Sequence, residues 1–218
     1  MAFISDKDRK YIEDMFRKGL EEKLNISLFV DAPAKCAYCK DTQSILEDLT
    51  SIDGRLNLKV YNIEKDNKEA ILLGVDKTPA IVLWSKSGHG IYYFGIPAQY
   101  EFSSLLEDII DISAGKSRLS ESTKTKLKTI DKPVDIKVFV TPMCPYCPKA
   151  VRTAHQFAME NRNIKASMIE ATEFEEMSNA YGVMAVPKVV INDKESFEGA
   201  LPEEVFLHRV IDAVGGSR

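Results

Sequence analysis

The chain has 218 residues, enough for one large domain or two small ones. Its hydrophobic fraction of 44% and charged fraction of 28% are ordinary for a globular protein. The net charge of −4 comes without a basic stripe, so nucleic acid is excluded as an expected partner.

The first half of the chain predicts alternating helices and strands. A capping-box-like Ser5 precedes a helix whose apolar residues recur at helical spacing from Tyr11 to Leu20. The further expected elements are a strand at Ile26–Val30, a helix after Cys39 whose apolar face runs from Ile45 to Ile52, a strand at Leu58–Ile63, a short helix at Ala70–Leu73, strands at Ala80–Trp84 and Ile91–Phe94, and a helix around Phe102–Ile110. The turn residues Ser87–Gly90 predict that the last two strands form a hairpin.

The second half repeats this order after a polar segment, Ser113–Ser122, that suits a domain boundary. Its expected elements are a short helix within Leu119–Ile130, strands near Ile136–Val140, Lys165–Glu170, Lys188–Ile191 and Glu195–Phe197, and helices after Cys147, around Phe174–Tyr181 and from Pro202 to Val214. The pattern predicts an α/β fold of two domains, 1–116 and 117–218, each with a mixed central sheet flanked by helices.

The two halves are related by an internal duplication. Cys36 and Pro79 are 43 positions apart, and so are Cys144 and Pro187. A glycine stands five positions before each of these prolines, at Gly74 and Gly182. Three anchors in one register indicate a repeat rather than a chance match.

No segment reads as an export signal or a membrane span. The N-terminal MAFISDKDRK has neither an apolar core nor a small-residue cleavage site. Apolar stretches such as Ala80–Trp84 are too short to cross a bilayer. We therefore expect a cytoplasmic protein without membrane contact.

All four cysteines fall into two Cys-x-x-Cys pairs, Cys36/Cys39 and Cys144/Cys147. In a reducing compartment this spacing favours redox or metal chemistry over structural stapling. Each pair stands where a strand is expected to end and a helix to begin, where unpaired N–H groups and the helix dipole stabilise a thiolate. We expect Cys36 and Cys144 to be the nucleophiles, and Cys39 and Cys147 to resolve the mixed disulfide.

The residues between and beside the cysteines differ between the two pairs. Tyr38 stands in the first pair, whereas Pro145 and Tyr146 stand in the second, and we expect these three residues to contact substrate. Pro145 is expected at the first helical position, where it removes one N–H donor, so the two sites should differ in redox potential. The nearby cations either add positive charge to the sites or belong to the solvated surface: Lys35, Lys40, Lys149 and Arg152.

A prolyl bond precedes the third strand of each half, at Thr78–Pro79 and Val186–Pro187. Their fixed distance from the cysteines predicts cis peptides facing the pairs. The backbone before each proline is then free to bind an extended substrate peptide by strand addition.

A carboxylate buried near each pair would accept the proton of the resolving thiol. Glu64 and Glu170 are expected at the ends of the second strands of their halves. Asp31, after the first strand, competes with Glu64 for this role.

The sequence resembles the thioredoxin/glutaredoxin superfamily in its CPYC motif after IKVFV and in VPKVVI downstream. The tandem arrangement is similar to that of the protein disulfide oxidoreductases of hyperthermophiles, which resemble the core of protein disulfide isomerase. This resemblance implies two thioredoxin-like domains, exchange of protein disulfides without an organic cofactor, and reduction by a thioredoxin-reductase-type flavoprotein. It also carries the family's substrate-contact role to the two prolyl bonds and fits a thermophilic source.

Three other interpretations remain open from the sequence. Two Cys-x-x-Cys pairs can form a Cys₄ zinc site, although we expect no metal because 104 residues separate Cys39 from Cys144. The fold can also serve as a redox-inert interaction module. The third alternative is an electron relay to a peroxiredoxin, similar to the tandem region of the alkyl hydroperoxide reductase flavoprotein.

Overall fold

The computed structural model describes residues 4–84 and 90–215. Its helices are α1 (Asp6–Gly19), α2 (Cys39–Ile52), α3 (Asn67–Leu73), α4 (Tyr100–Ala114), α5 (Glu121–Leu127), α6 (Cys147–Glu160), α7 (Glu175–Ala180) and α8 (Glu203–Gly215). Its strands are β1 (Leu24–Val30), β2 (Leu56–Asn62), β3 (Ala80–Trp84), β4 (Gly90–Phe94), β5 (Val134–Val140), β6 (Ile164–Glu170), β7 (Lys188–Ile191) and β8 (Glu195–Glu198).

Each half has the mixed α/β arrangement of a thioredoxin-like domain, as predicted, but the two sheets are joined. The strands form one eight-stranded sheet in the order β2-β1-β3-β4-β6-β5-β7-β8. The junction is the parallel pairing of β4 with β6, from Ile91 opposite Ala166 to Phe94 opposite Ile169. Because each of these strands would otherwise be an open edge, their pairing satisfies backbone groups that either half alone would leave exposed.

Strand periodicity separates the core into two layers, one on each face of the sheet. Along β1, Ile26 and Leu28 lie in the larger apolar cluster, whereas Phe29 lies in the smaller one. The larger cluster is covered by α1, α2, α4, α5, α6 and α8, and the smaller by α3 and α7. Both helices that begin at a cysteine therefore lie on the same face.

The predicted elements are all present, with bounds shifted by a few residues. Ser5 caps α1, its hydroxyl accepting the Asp8 N–H at 3.2 Å, as the capping-box pattern predicts. The two strands of the predicted hairpin, β3 and β4, pair antiparallel. Most of the expected turn, including Ser87, lies outside the described residues.

The polar segment expected between the domains is not a solvated linker. Ser113 lies in α4, and its buried hydroxyl accepts the backbone N–H groups of Glu21 and Glu22 at 3.1 and 2.9 Å. Gly115 then ends α4 in the left-handed conformation, with φ of 63°. Small polar residues here fit a packed connection, and the division after residue 116 stays a prediction.

None of the helices in the described ranges is both long and apolar enough to cross a bilayer.

Candidate active sites

The two cysteine pairs lie at one edge of the sheet. The pairing directions make β1 and β5 run the same way, so the segments that follow them emerge together. Four inter-strand steps separate β1 from β5, which corresponds to about 19 Å. Because the pairs are so far apart, their four sulfur atoms do not converge on one tetrahedral Cys₄ site.

In the first site, a disulfide joins Cys36 to Cys39, with their Cα atoms 5.5 Å apart. Each cysteine is only 5% exposed. The Asp31 N–H donates to Cys39 Sγ at 3.4 Å, and within the described part of the chain no hydrogen bond reaches Cys36 Sγ. The polar contact in this site is therefore to the expected resolving sulfur.

In the second site, a disulfide joins Cys144 to Cys147, again with the Cα atoms 5.5 Å apart. Cys144 is 8% exposed, whereas Cys147 is fully buried. The Cys147 N–H, in the first turn of α6, donates to Cys144 Sγ at 3.1 Å. Such a donor at a helix start stabilises a thiolate on the outer sulfur, so the geometry suits Cys144 as the attacking group.

Both predicted cis peptides are present, at Thr78–Pro79 and Val186–Pro187. The second of them faces its cysteine pair, because the Val186 carbonyl oxygen lies 3.7 Å from Cys144 Sγ. Val186 is half-buried and Pro187 is buried, so the accessible groups beside the sulfur belong to the residue before the proline.

The expectation that Pro145 occupies the first helical position is wrong. Helix α6 begins at Cys147 with Tyr146 as its N-cap, and Pro148 is the proline in its first turn. The correction removes the expected effect of Pro145 on the helix N–H donors. Tyr146 is 71% exposed and Tyr38 in the first site is 45% exposed, so both rings are available to a partner.

The four cations near the sites have different environments. Lys40 and Lys149 are exposed, and Lys35 forms a surface ion pair with Glu64 that raises the pKa of its amine. Arg152 fits neither of the two interpretations, because it is buried and paired with acids of α4. It is therefore a structural cation between helices.

Only one of the two expected acids is buried. Glu64 lies beyond the end of β2, is exposed, and pairs with Lys35, so the expectation of a buried strand-end carboxylate is wrong there. In the sheet, the residue equivalent to Glu170 is Asn62. Asn62 lies opposite Val30 on β1, and Glu170 lies opposite Val140 on β5. The duplication could have revealed this difference, because the spacing that relates Cys36 to Cys144 and Pro79 to Pro187 also aligns Asn62, and not Glu64, with Glu170.

Glu170 is 2% exposed, as expected, but its oxygens already have local partners. The Glu173 N–H donates to it at 2.6 Å, and the Thr172 hydroxyl lies 2.7 Å from the same oxygen. Asp31, the alternative acid of the first half, contacts Cys39 only through its backbone N–H. The roles of Glu64, Glu170 and Asp31 in proton transfer stay predictions.

A buried polar cluster that the sequence did not indicate joins α4 to α6. Asp108 accepts hydrogen bonds from the Tyr93 hydroxyl and forms an ion pair with Arg152, and its carboxylate lies 2.6 Å from Nδ1 of His155. Arg152 also pairs with Asp111. Burial and the neighbouring guanidinium lower the pKa of His155 well below its usual value, so the imidazole is neutral.

Glu101, in the first turn of α4, is the other residue that sequence reasoning missed. It is 1% exposed, and neither carboxylate oxygen has a hydrogen bond of good geometry. Burial raises its pKa to about 7, an effect that the Ser104 hydroxyl partly offsets. An acidic residue with serine one turn on is common on solvated helix faces, so no sequence signal distinguished it.

The course of α4 and α6 places Glu101 at the level of the second cysteine pair. The two helices run side by side in the same direction, because Tyr100 N–H donates to the Pro142 carbonyl at one end and Ser117 bonds Glu160 at the other. Glu101 precedes Asp108 by two turns, and two turns before His155 on α6 is the segment next to Cys147. The Glu101 carboxyl therefore lies toward the end of α6 that begins at Cys147.

This arrangement defines a tandem thioredoxin-fold thiol–disulfide oxidoreductase, whose two Cys-x-x-Cys sites are built for dithiol–disulfide exchange. Comparison with known proteins gives the family. The chain is 30% identical to a protein disulfide oxidoreductase from Aeropyrum pernix, over 97% of this chain and 94% of that one, with a TM-score of 0.89. The chain belongs to the protein disulfide oxidoreductases.

Further comparisons are consistent with this fold. The thioredoxin-domain family profile matches residues 134–212. The NTD_N/C domain of alkylhydroperoxide reductase AhpF from Enterococcus faecalis superposes with a TM-score of 0.87 at 23% identity, over 95% of this chain and 100% of that one. The alkyl hydroperoxide reductase AhpF of Staphylococcus aureus is 25% identical over 171 residues, or 78% of this chain. The chain spans about a third of the length of such curated relatives, because the match covers 31% of that protein.

Proposed function

We propose that the second site, Cys144/Cys147, carries most of the exchange with protein disulfides. The observation that supports this is the N–H donated by Cys147 to Cys144 Sγ at 3.1 Å, which has no counterpart at Cys36 among the described residues. A thiolate at Cys144 attacks a substrate disulfide, forming a mixed disulfide and releasing one substrate thiolate. Cys147 then attacks Cys144 Sγ, which releases the second substrate thiol and leaves the enzyme disulfide.

The reduced substrate leaves with two electrons and two protons, and the enzyme must recover both. We infer that a flavoprotein of the thioredoxin-reductase type returns them, as the family resemblance implies. In the opposite direction, the enzyme disulfide oxidises a substrate dithiol. Which direction prevails depends on the reduction potential of the compartment, since about 30 mV corresponds to a tenfold change in the equilibrium constant.

The residues that flank each pair are proposed to hold the substrate chain. Val186 presents its carbonyl oxygen beside Cys144, and Thr78–Pro79, the cis peptide at the equivalent position, is assigned the same role in the first site. The exposed rings of Tyr146 and Tyr38 would provide apolar contact. Pro145, exposed between Cys144 and Tyr146, is assigned to the same surface. Hydrogen bonds to an extended peptide at this edge would bring its cysteine toward Cys144.

Glu101 is proposed as the proton acceptor for Cys147, in preference to Glu170. Its carboxylate lacks well-formed hydrogen bonds, and its pKa of about 7 suits reversible proton transfer near neutrality. Glu170, by contrast, is bonded to the Glu173 N–H and the Thr172 hydroxyl.

The relay alternative keeps the same chemistry with a narrower acceptor. In it, the chain passes electrons from a flavoprotein reductase to a peroxiredoxin, a role suggested by the similarity to the alkyl hydroperoxide reductase AhpF. Turnover with a peroxiredoxin, but none with insulin, would favour the relay. The cytoplasmic location expected from the sequence is part of both proposals.

Insulin reduction with dithiothreitol as the donor tests the proposal. We expect Cys144→Ser to lose most of the activity, and Cys36→Ser to retain more than half of it. If Cys36→Ser caused the larger loss, the assignment of the main site would be wrong. A wild-type rate equal to the uncatalysed background would show that the protein has no general dithiol reductase activity.

A further inference from the structure

A groove leads away from the reactive sulfur of the second site. It has a volume of about 340 Å³ and begins at Val186, whose carbonyl oxygen is 3.7 Å from Cys144 Sγ. Its lining includes Val183, the 91% exposed side chain of Met184, Thr172 and Glu175. Because the groove begins this close to Cys144, its lining is in position to contact the residues next to a substrate cysteine that reaches Cys144.

The groove continues into a second depression of about 430 Å³, which shares Thr172 and Glu175 with it. Glu173 and Glu176 line this continuation, and neither lining includes a lysine or arginine. Glu175 and Glu176 are exposed. Glu173 points inward, accepts the Ile96 N–H at 2.5 Å, and has its pKa raised by burial to about 7.

Lys188, whose amine donates to the Gly182 carbonyl oxygen at 2.9 Å, lines neither depression. The acidic wall therefore has no internal counterion within the groove. A cationic side chain on a bound polypeptide would supply one, whereas an anionic side chain would be repelled.

The same positions of the first half have a different charge. The segments 63–78 and 171–186 are equivalent, since each lies between the second strand and the cis-proline of its half. Lys65 and Lys68 occupy the places of Glu173 and Glu176. The first segment thus carries three lysines against four acids, whereas the second contains three glutamates and no lysine or arginine.

We propose that the Glu175/Glu176 wall makes the second site selective for protein disulfides flanked by lysine or arginine. The first site lacks this preference. The two sites of the duplicated chain then take different protein partners, although they perform the same exchange. The inference rests on the proposed role of Cys144 as the attacking sulfur.

The test uses full-length protein in which Cys36→Ala and Cys39→Ala leave only the second site. Three peptides of equal length, each bridged by one disulfide, carry lysine, glutamate or glutamine beside the cysteines. We expect kcat/KM for the lysine peptide to exceed that for the glutamate peptide about tenfold at low salt, and the ratio to shrink at about 0.5 M salt.

Charge-reversing variants in the same background locate the effect. Glu175→Lys with Glu176→Lys should abolish or invert the ratio of kcat/KM between the lysine and glutamate peptides. Glu13→Lys with Glu195→Lys makes the same net change on exposed residues outside the groove, and should leave the preference intact. The opposite single-site protein, Cys144→Ala with Cys147→Ala, should show no preference for lysine.

Two outcomes would contradict the inference, and they are distinguishable. Equal kcat/KM for the lysine and glutamate peptides, with the glutamine peptide still reduced, would overturn the selectivity and leave the proposed function standing. No reduction of any of the three peptides by the second site would overturn the proposed function, and the selectivity with it.

Discussion

At the residue scale, Glu101 is a buried carboxyl that we propose serves a site built by another part of the chain. It belongs to the helix that closes the first half, and this helix begins next to the segment that leads into the second cysteine pair. Its environment, rather than its residue type, sets its chemistry, because burial favours the neutral form.

Replacing Glu101 by glutamine keeps the shape of the side chain and removes its titration. In the single-site Cys36→Ala, Cys39→Ala protein, we expect Glu101→Gln to slow peptide disulfide reduction about 10- to 100-fold. The inflection near pH 7 in the rate profile should disappear with it. Rates from pH 5.5 to 8.5 measure both effects.

Glu170→Gln is the matched control, since it changes a second buried glutamate near the same edge of the sheet. We expect it to leave the inflection in place. Loss of the inflection in Glu170→Gln, together with its retention in Glu101→Gln, would return the proton-accepting role to Glu170.

At the element scale, the packing of α4 on α6 joins the two halves through buried charges. Arg152 of α6 pairs with Asp111 and Glu107 of α4, and with Asp108, which is fully buried. Removing one member of such a group leaves the others desolvated and uncompensated. The helices therefore depend on Arg152 far more than on an exposed arginine.

Arg152→Met should lower the free energy of unfolding by about 3–5 kcal/mol, the cost typical of breaking a buried ion pair. Arg17→Met is the control, because Arg17 pairs with Asp14 on the exposed face of α1 and should contribute less than about 1 kcal/mol. Urea denaturation measures both values. Similar losses in the two variants would show that the α4–α6 cluster adds no more than a surface pair.

At the scale of the whole molecule, the joined sheet and the α4–α6 contact predict that the described chain unfolds as one cooperative unit. Its stability is then sensitive to every buried titratable group. Glu101 and Glu173 have pKa values raised to about 7, and Asp111 to about 6. The pKa of His155 is lowered instead.

The signs of these shifts set the pH dependence. An acid with a raised pKa in the folded protein stabilises it below the unfolded pKa, and this stabilisation is lost as the pH rises to about 7. Neutral His155 acts oppositely, because unfolding lets it bind a proton below about pH 6.5. Three acids outweigh one histidine, so stability should fall from pH 5.5 to pH 8.

Between pH 5.5 and pH 8 we expect the free energy of unfolding to fall by on the order of 2 kcal/mol. In Glu101→Gln, which cannot titrate at this position, the fall should be smaller. Denaturant titrations at pH 5.5, 7 and 8 measure the trend. A rise in stability over this range would mean that these carboxyls are ionised in the folded protein.

The sequence by itself determined the elements, the duplication, both Cys-x-x-Cys sites and the positions of the cis-prolines. These features depend on local periodicity and on fixed spacing along the chain, such as the 43 positions between Cys36 and Pro79. Ser5, for example, caps α1 through its own neighbour, Asp8.

Only the tertiary structure decided which side chains surround those sites. The pairing of β4 with β6 joins segments about 75 residues apart along the chain, and no local pattern specifies it. That pairing and the packing of α4 on α6 bury Glu101, Arg152 and His155, whereas the early end of β2 leaves Glu64 in solvent. Burial arises when distant segments meet, and it is burial that turns an ordinary carboxylate into a proton acceptor or an arginine into a structural cation.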